Sequence, residues 1–258
     1  MLQFDENTAK LLEAAYQGAD VSRRRRMALD ALHLEAGEVV IDIGCGNGFL
    51  TQEIARAVGP SGRVIGVDPS ADMRAPARAR CTAFPTVSIE DGTADALPLQ
   101  DGAAHKAVAV QVLEYLDDIP AAMREAHRVL LPAGRFVAVD TGFGTLDWFS
   151  EDEARMRRVQ AAWDHHYKEA RVAALWSALC RDAGFSTIEI EPFTFCDVTL
   201  RPDGIAFMGL HLMSRYASEN GHMPEKDTQA WFDEQIRLAS EGRFFFSLTY
   251  YRMSAVKR

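Results

Sequence analysis

The sequence predicts an α/β protein built on a doubly wound, mostly parallel sheet, and three observations carry that reading. Short β-favouring apolar runs alternate with helical stretches as far as residue 140. A glycine-rich turn, Gly44-Cys45-Gly46-Asn47-Gly48, joins the run Val39-Val40-Ile41-Asp42-Ile43 to the helical stretch Leu50-Thr51-Gln52-Glu53-Ile54-Ala55. A second run, Arg63-Val64-Ile65-Gly66-Val67, ends in Asp68, twenty residues beyond Gly48. Strand, glycine turn and helix in that order make a nucleotide site at the carboxyl edge of an open sheet.

The elements follow in order. Residues 6–33 read as two helices broken near Gly18-Ala19-Asp20, with Ser22 as a cap. Arg23 to Arg26 occupy consecutive helical positions, point in four directions and so read as mostly solvated. The glycines of the turn let backbone N–H groups approach a ligand. Asp42 offers a carboxylate to a cationic amine, and Asp68 can accept both hydroxyls of a ribose, which together indicate an adenosine-containing cofactor. A helix is expected over 70–81, interrupted by Pro76. Strands are expected at 86–90 and 106–110, the latter continuing into Gln111-Val112-Leu113-Glu114-Tyr115-Leu116. A helix over 118–131 should end at Pro132-Ala133-Gly134, before a fifth strand at 135–139. Ser150 is placed as the cap of a charged helix over 151–162, and another helix over 171–183 stops at Gly184. A sixth strand at 187–191, a helical insertion over 203–241 and a final strand at 244–251 complete the chain. No repeat or low-complexity linker divides it, so a single domain over 1–258 is expected.

Four stretches in succession resemble the motifs of class I S-adenosylmethionine-dependent methyltransferases. They are Asp42-x-Gly44-x-Gly46-x-Gly48, Val67-Asp68-Pro69-Ser70, Asp91-Gly92-Thr93-Ala94-Asp95-Ala96-Leu97-Pro98 and Arg128-Val129-Leu130-Leu131-Pro132-Ala133-Gly134-Arg135. The nearest pattern is the group of ubiquinone/menaquinone-biosynthesis C-methyltransferases, and the likeness is strong over residues 20–140. It implies a Rossmann-like, seven-stranded sheet with an antiparallel last strand. The core would then cover about 34–140 and 171–258, with helical cap segments at about 1–33, 141–170 and 200–241. It also implies S-adenosylmethionine as cofactor. Asp42, Gly44, Gly46 and Gly48 would cradle its methionine portion, Asp68 the ribose, and Thr93 with Ala94 the adenine. Cys45, Pro69, Met73 and Gly92 would line the same site, and Gln111 would lie beside the methionyl end. Many relatives carry Asp where this chain has Thr93, and a hydroxyl accepts from the adenine amine less strongly than a carboxylate. Relatives often place His at one of the positions held by Glu114 and Tyr115. Tyr115 is therefore a catalytic candidate, and Glu114 is either a helix-start carboxylate or a group near the sulfonium. An arginine of 23–26 and Tyr16 are available to an N-terminal lid of the kind the family brings over its cofactor.

Composition narrows the partners. A net charge of −9 argues against a surface that wraps nucleic acid. No apolar run reaches membrane-spanning length and no secretory pattern opens the chain, so a cytoplasmic protein is expected. The four cysteines show no CxxC spacing and no metal-ligand cluster is seen. Cys81, Cys180 and Cys196 are read as small buried residues rather than a thiol site for arsenic, and Cys45 as present for its size.

Methyl transfer needs the acceptor atom held in line with the sulfonium and water excluded. The segments 141–170 and 193–241 should roof the methyl group. Their rings, among them Phe143, Trp148, Trp163, Tyr167, Tyr216 and Trp231, suit a flat or apolar small-molecule acceptor or a helical core. His165 and His166 are the general-base candidates; adjacent helical residues face different ways, so at most one meets substrate, and both as surface residues is the competing reading. His211 on an apolar helix reads as a core histidine. A nicotinamide dehydrogenase is disfavoured because Phe49 stands where its fingerprint needs a small residue. A DNA amino-methyltransferase is disfavoured by charge and by Gln111-Val112-Leu113-Glu114 in place of its Asn/Asp-Pro-Pro-aromatic motif. A binding module or natural-product cyclase that keeps the cofactor fold without methyl transfer stays open.

Overall fold

The computed structural model describes residues 13–258, whose elements are α1 (Ala19–Leu32), β1 (Val39–Ile43), α2 (Phe49–Val58), β2 (Arg63–Val67), α3 (Ala71–Cys81), β3 (Val87–Glu90) and β4 (Ala104–Val110), then a 3-10 turn (Leu113–Tyr115), α4 (Ile119–Val129), β5 (Leu130–Thr141) and β6 (Asp147–Trp148). The chain continues through α5 (Glu153–Trp163), a 3-10 turn (Asp164–His166), α6 (Val172–Asp182), β7 (Phe185–Asp197), α7 (Ile205–Glu219), α8 (Glu225–Ser240) and β8 (Phe246–Lys257). The part of the expected first helix before residue 13 lies outside the described residues. Contacts divide the chain into a sheet unit (25–141, 171–193, 250–258) and a helical unit (up to Arg24, 142–170, 194–249).

In the sheet unit the order is β3-β2-β1-β4-β5-β8, with β7 also paired to β8. The first five are parallel, and β8 runs antiparallel to β5 from Arg135↔Val256 to Thr141↔Tyr250. Strands β1 and β2 are buried along nearly their whole length, as continuous apolar runs in a doubly covered parallel sheet require. The chain reverses direction across the sheet between β1 and β4, which is where such sheets open a ligand crevice. The expected mostly parallel sheet with an antiparallel final strand is therefore present. The two-residue β6, paired to Ser247 and Phe246 of β8 in the helical unit, was not expected.

Helix α4 shows how the local sequence sets these elements. Asp118 caps it by accepting from the Ala121 N–H at 2.8 Å, and Ile119, Ala122, Met123, Ala126 and Val129 form one buried stripe. The helix ends at Val129, two residues short of expectation, and strand β5 starts at Leu130. The reason is that the N–H groups of Gly102 and Ala103 take the carbonyls of Arg128 and Val129, and Leu130 pairs with Ala104. The chain then bulges before Lys106 meets Arg135. Pro76 does not interrupt α3, which runs continuously from its Ser70 cap; only the exposed Asp72 carbonyl loses its helical donor.

Two of the four arginines of α1 are buried, against expectation. Arg25 pairs with Glu53 at 3.0 Å and lies 5.0 Å over the Phe49 ring, because its helix face is turned onto α2; Arg24 is also buried, while Arg23 and Arg26 are exposed. In the helical unit α5 is capped by Asp152, not Ser150. The Ser150 hydroxyl instead donates to the buried Glu234, which also accepts from Glu151 N–H and from Arg155. Helices α5, α7 and α8 pack together there around Trp231, Leu210, Met213 and Leu238. Trp148 belongs to the same core, its indole N–H on Gln235 and its ring edge-on to Trp231 and Phe246. Among the described residues no helix is long and apolar enough to cross a membrane.

Candidate functional site

The site is assembled at the carboxyl ends of β1, β2 and β4. Asp42, next to last in β1, is flanked in register by Gly66 and Val108 and is buried. Thr51, one turn into α2, donates its hydroxyl to the Asp42 carboxylate at 2.6 Å. Burial outweighs that hydrogen bond, and the neighbouring Asp68 charge adds to it, so the Asp42 carboxyl is raised to about 7.

The glycine turn is tied to the end of β2. The N–H groups of Gly44 and Cys45 both donate to the Val67 carbonyl, at 2.7 and 3.0 Å. Gly46 N–H donates to one oxygen of Asp68 and Ser70 N–H to the other, both at 2.9 Å. Asp68 is thus held by two main-chain donors with a second lone pair on each oxygen for further donors. Nothing lies within 4 Å of where a side chain at Gly46 would begin. At Gly48 a Cβ would stand 2.9 Å from Ala77 Cα, so this glycine is what lets α3 approach the turn. Cys45 packs beneath the turn against Ala77 and Ile89, and burial raises its thiol above the ordinary range, consistent with a residue chosen for size. From outside, the Phe49 ring is covered by the guanidinium of Arg80 at 3.4 Å, while Arg80 Nε donates to the Asn47 carbonyl.

Beyond β2, Pro69 is exposed, and Met73 N–H meets the Ser70 cap on the first turn of α3. Arg74 donates to both the Asp68 carbonyl (2.7 Å) and the Asp91 carboxylate (2.9 Å), linking the end of β2 to the end of β3. Gly92, Thr93 and Ala94 follow; Thr93 is exposed and forms a small bridge with Ala96, and Ala94 is buried. Arg74 was not singled out from sequence, and a helical arginine has no signature that would have revealed this link.

After β4, Gln111 adopts a left-handed φ of 55°, its N–H on the Val139 carbonyl at 2.7 Å. Its side-chain N–H₂ donates to Thr141 Oγ1 at 2.8 Å and to Glu114 Oε1 at 3.3 Å. Glu114 is fully buried and its other oxygen accepts from Thr141 N–H. Asp140, equally buried, accepts from Val112 N–H at 3.1 Å, has no hydrogen bond on Oδ2 among the described residues, and is raised well above the usual carboxylate range by burial and then by the Glu114 charge. Each acid therefore caps the main chain of the other's segment. Glu114 thus meets the Gln111 amide and the Thr141 N–H at the end of β5. Asp140 was missed, although an acid closing an apolar strand is the same signal that marked Asp42 and Asp68.

The catalytic candidates fall in different places. Tyr115 is exposed on the 3-10 turn after β4. His165 and His166 lie in the helical unit, in the 3-10 turn after α5. His166 stacks on Trp163 and meets Tyr216 edge-on, and burial lowers its imidazole to about 4. His165 is exposed and lies parallel to His222, rings 4.6 Å apart. His211, half-buried on α7, meets Phe207 and Phe232 edge-on. Among the described residues no group of His, Cys, Asp and Glu could hold a metal ion.

Comparison with known proteins identifies the family. Residues 41–138 match the family described as a methyltransferase domain. The 2-phytyl-1,4-naphtoquinone methyltransferase of Thermosynechococcus vestitus is 38% identical over 65% of this chain and 81% of its own length. An uncharacterized 37.1 kDa transposon protein of Streptomyces fradiae is 34% identical over 88% of this chain, a match that spans 65% of that relative. Among solved structures, the YcgJ protein of Bacillus subtilis shares the fold with a TM-score of 0.61 at 20% identity, covering 92% of this chain and 99% of that one. With three of the four motifs gathered at the carboxyl edge of the sheet and a relative matched over most of its length, the chain belongs to the class I S-adenosylmethionine-dependent methyltransferases.

Proposed function

We propose that this protein transfers the methyl group of S-adenosylmethionine to a small quinone-type acceptor. The observation that carries the cofactor half is the turn of residues 44–48 bound to Asp68 with Asp42 behind it. The residues fit the group: Asp68 has lone pairs for two vicinal hydroxyls, Gly46 leaves the space a side chain would fill, and Asp42 has no cationic hydrogen-bond partner among the described residues. In this reading Asp42, Gly44, Cys45, Gly46 and Gly48 hold the methionine end with Gln111, Asp68, Pro69 and Met73 the ribose side, and Gly92, Thr93 and Ala94 the adenine. Bound there, the cofactor supplies an electrophilic methyl group. The protein's own part is to orient the acceptor, exclude water and, where the acceptor carries a proton, remove it. Tyr115, His165 and His166 are the side chains proposed for that last task; burial lowers the His166 imidazole to about 4, which leaves it neutral at pH 7 but a weak base.

The acceptor half is supported by the naphthoquinone methyltransferase relative and by a demethylmenaquinone methyltransferase of Symbiobacterium thermophilum, 30% identical over half of this chain. An electron-rich hydroquinone ring is a flat, largely apolar nucleophile. The test is two-stage. Calorimetry with S-adenosylhomocysteine should show binding that Asp68→Ala weakens at least about tenfold, as loss of a carboxylate with two hydroxyl partners demands. Methyl-labelled cofactor with a reduced 1,4-naphthoquinone bearing a free ring position should then yield the labelled, ring-methylated hydroquinone, the displaced ring proton being released. Binding without label would refute the quinone acceptor, and no binding would refute the cofactor reading.

A further inference from the structure

We propose that Glu114 fixes the orientation of the Gln111 amide, so that Gln111 turns an oxygen rather than an N–H₂ toward the cofactor and the site prefers the positive sulfonium over the neutral thioether. The inference rests on the reading that Gln111 borders the methionyl end, and it adds what that residue is for.

An amide can be turned either way, and its neighbours decide which. Here the nitrogen faces two acceptors, Thr141 Oγ1 at 2.8 Å and Glu114 Oε1 at 3.3 Å. The reverse orientation would set an amide oxygen 3.3 Å from a carboxylate oxygen in a buried place, where two acceptors repel. The arrangement works only while Glu114 carries the charge. Asp140 is buried beside Glu114, and burial and then the Glu114 charge raise its carboxyl well above the usual carboxylate range. Glu114 in turn is held as an acceptor by Thr141 N–H at 2.8 Å.

The backbone contributes as well. Gln111 is held in the left-handed region by its N–H on the Val139 carbonyl, which fixes where its side chain leaves the main chain at the end of β4. With its nitrogen engaged twice, the amide's remaining polar atom is Oε1, which accepts no hydrogen bond among the described residues. A carbonyl dipole aimed at a cation stabilises it, whereas an N–H₂ would oppose it. Substrate and product cofactor differ by that one charge. An oxygen at this position therefore holds S-adenosylmethionine and lets S-adenosylhomocysteine leave.

The experiment compares affinities of S-adenosylmethionine, S-adenosylhomocysteine and adenosine for the full chain by calorimetry. Glu114→Gln removes the charge that directs the amide while keeping its shape. It is expected to lower the preference for S-adenosylmethionine over S-adenosylhomocysteine by about tenfold, the scale of one hydrogen-bond-strength interaction with a charged group, with adenosine affinity unchanged. Gln111→Asn, which retracts the amide and tolerates the left-handed backbone, should lower the same ratio and decides the matter if Glu114→Gln does not fold. A wild-type ratio retained in the folded variants would overturn the inference while leaving the cofactor reading intact. Failure of the wild-type protein to bind any of the three compounds would overturn both. Equal weakening of all three compounds would also overturn it, as the mark of a purely structural role.

Discussion

At the scale of single residues, Asp42 carries the most chemistry. Its carboxyl is raised to about 7 because burial outweighs the Thr51 hydrogen bond. The folded chain keeps a proton there that the unfolded chain has already lost above the usual carboxylate range. This contribution to stability is therefore full at low pH and fades as pH rises toward and through about 7. Asp42→Asn should flatten the decline of Tm between pH 5 and pH 8 and make the unliganded protein more stable at pH 8 by roughly 1–3 kcal/mol. A cationic amine beside Asp42 would expel that proton. Cofactor affinity in the native chain should then rise from pH 6 to pH 8 and lose that rise in Asp42→Asn, as titration calorimetry across pH would show. An unchanged slope of Tm with pH would contradict the burial argument. Asp42 and Asp68 were legible because acids at strand ends are chemically conspicuous. The orientation of Gln111 was not, since it depends on Asp140 and Thr141, about thirty positions away, which only the pairing of β4 with β5 brings near.

At the scale of elements, the glycine turn makes a paired prediction possible. Gly46 and Gly48 both have positive φ, but only Gly48 faces a wall, with Ala77 Cα 2.9 Å from an added Cβ. Gly48→Ala should push α3 off the turn and cost roughly 2 kcal/mol or more in a denaturant titration. Gly46→Ala meets open space and should cost only about 1–2 kcal/mol for its backbone, yet weaken S-adenosylhomocysteine binding by more than that stability loss. Equal stability losses at the two positions would show that Ala77 yields freely. Sequence pattern found every strand of the parallel sheet because each is a bounded apolar run. It misjudged the junction of α4 and β5 and the cap of α5 for physical reasons. Those boundaries are set by Gly102 and Ala103 claiming helix carbonyls and by Glu234 claiming Ser150, partners that no local window contains.

At the scale of the whole molecule, the sheet unit is built from three stretches of chain, and the last of them is short. Residues 250–258 supply the antiparallel partner of β5 over seven paired positions, place Met253 and Ala255 in the core, and let Lys257 Nζ meet the carbonyls of His127 and Leu130 at 2.7 Å. Removing residues 250–258 should leave β5 with an open, apolar edge and give an aggregating product rather than a destabilised enzyme, as sedimentation of the purified variant would show. A soluble, cooperatively melting truncation would refute this. The parallel character of the sheet was readable from alternation alone, whereas the separation of core from cap segments came only from the family resemblance, because each gathers segments far apart in the chain. The placement of β8 also fixes a schedule for synthesis. On the ribosome β5 is complete more than a hundred residues before its partner exists, an interval of about ten seconds at ordinary elongation speed. Through that wait a nascent chain exposes one bare strand to its neighbours, so the yield of native protein in a cell should follow translation speed and chaperone supply more closely than it follows the stability of the finished fold.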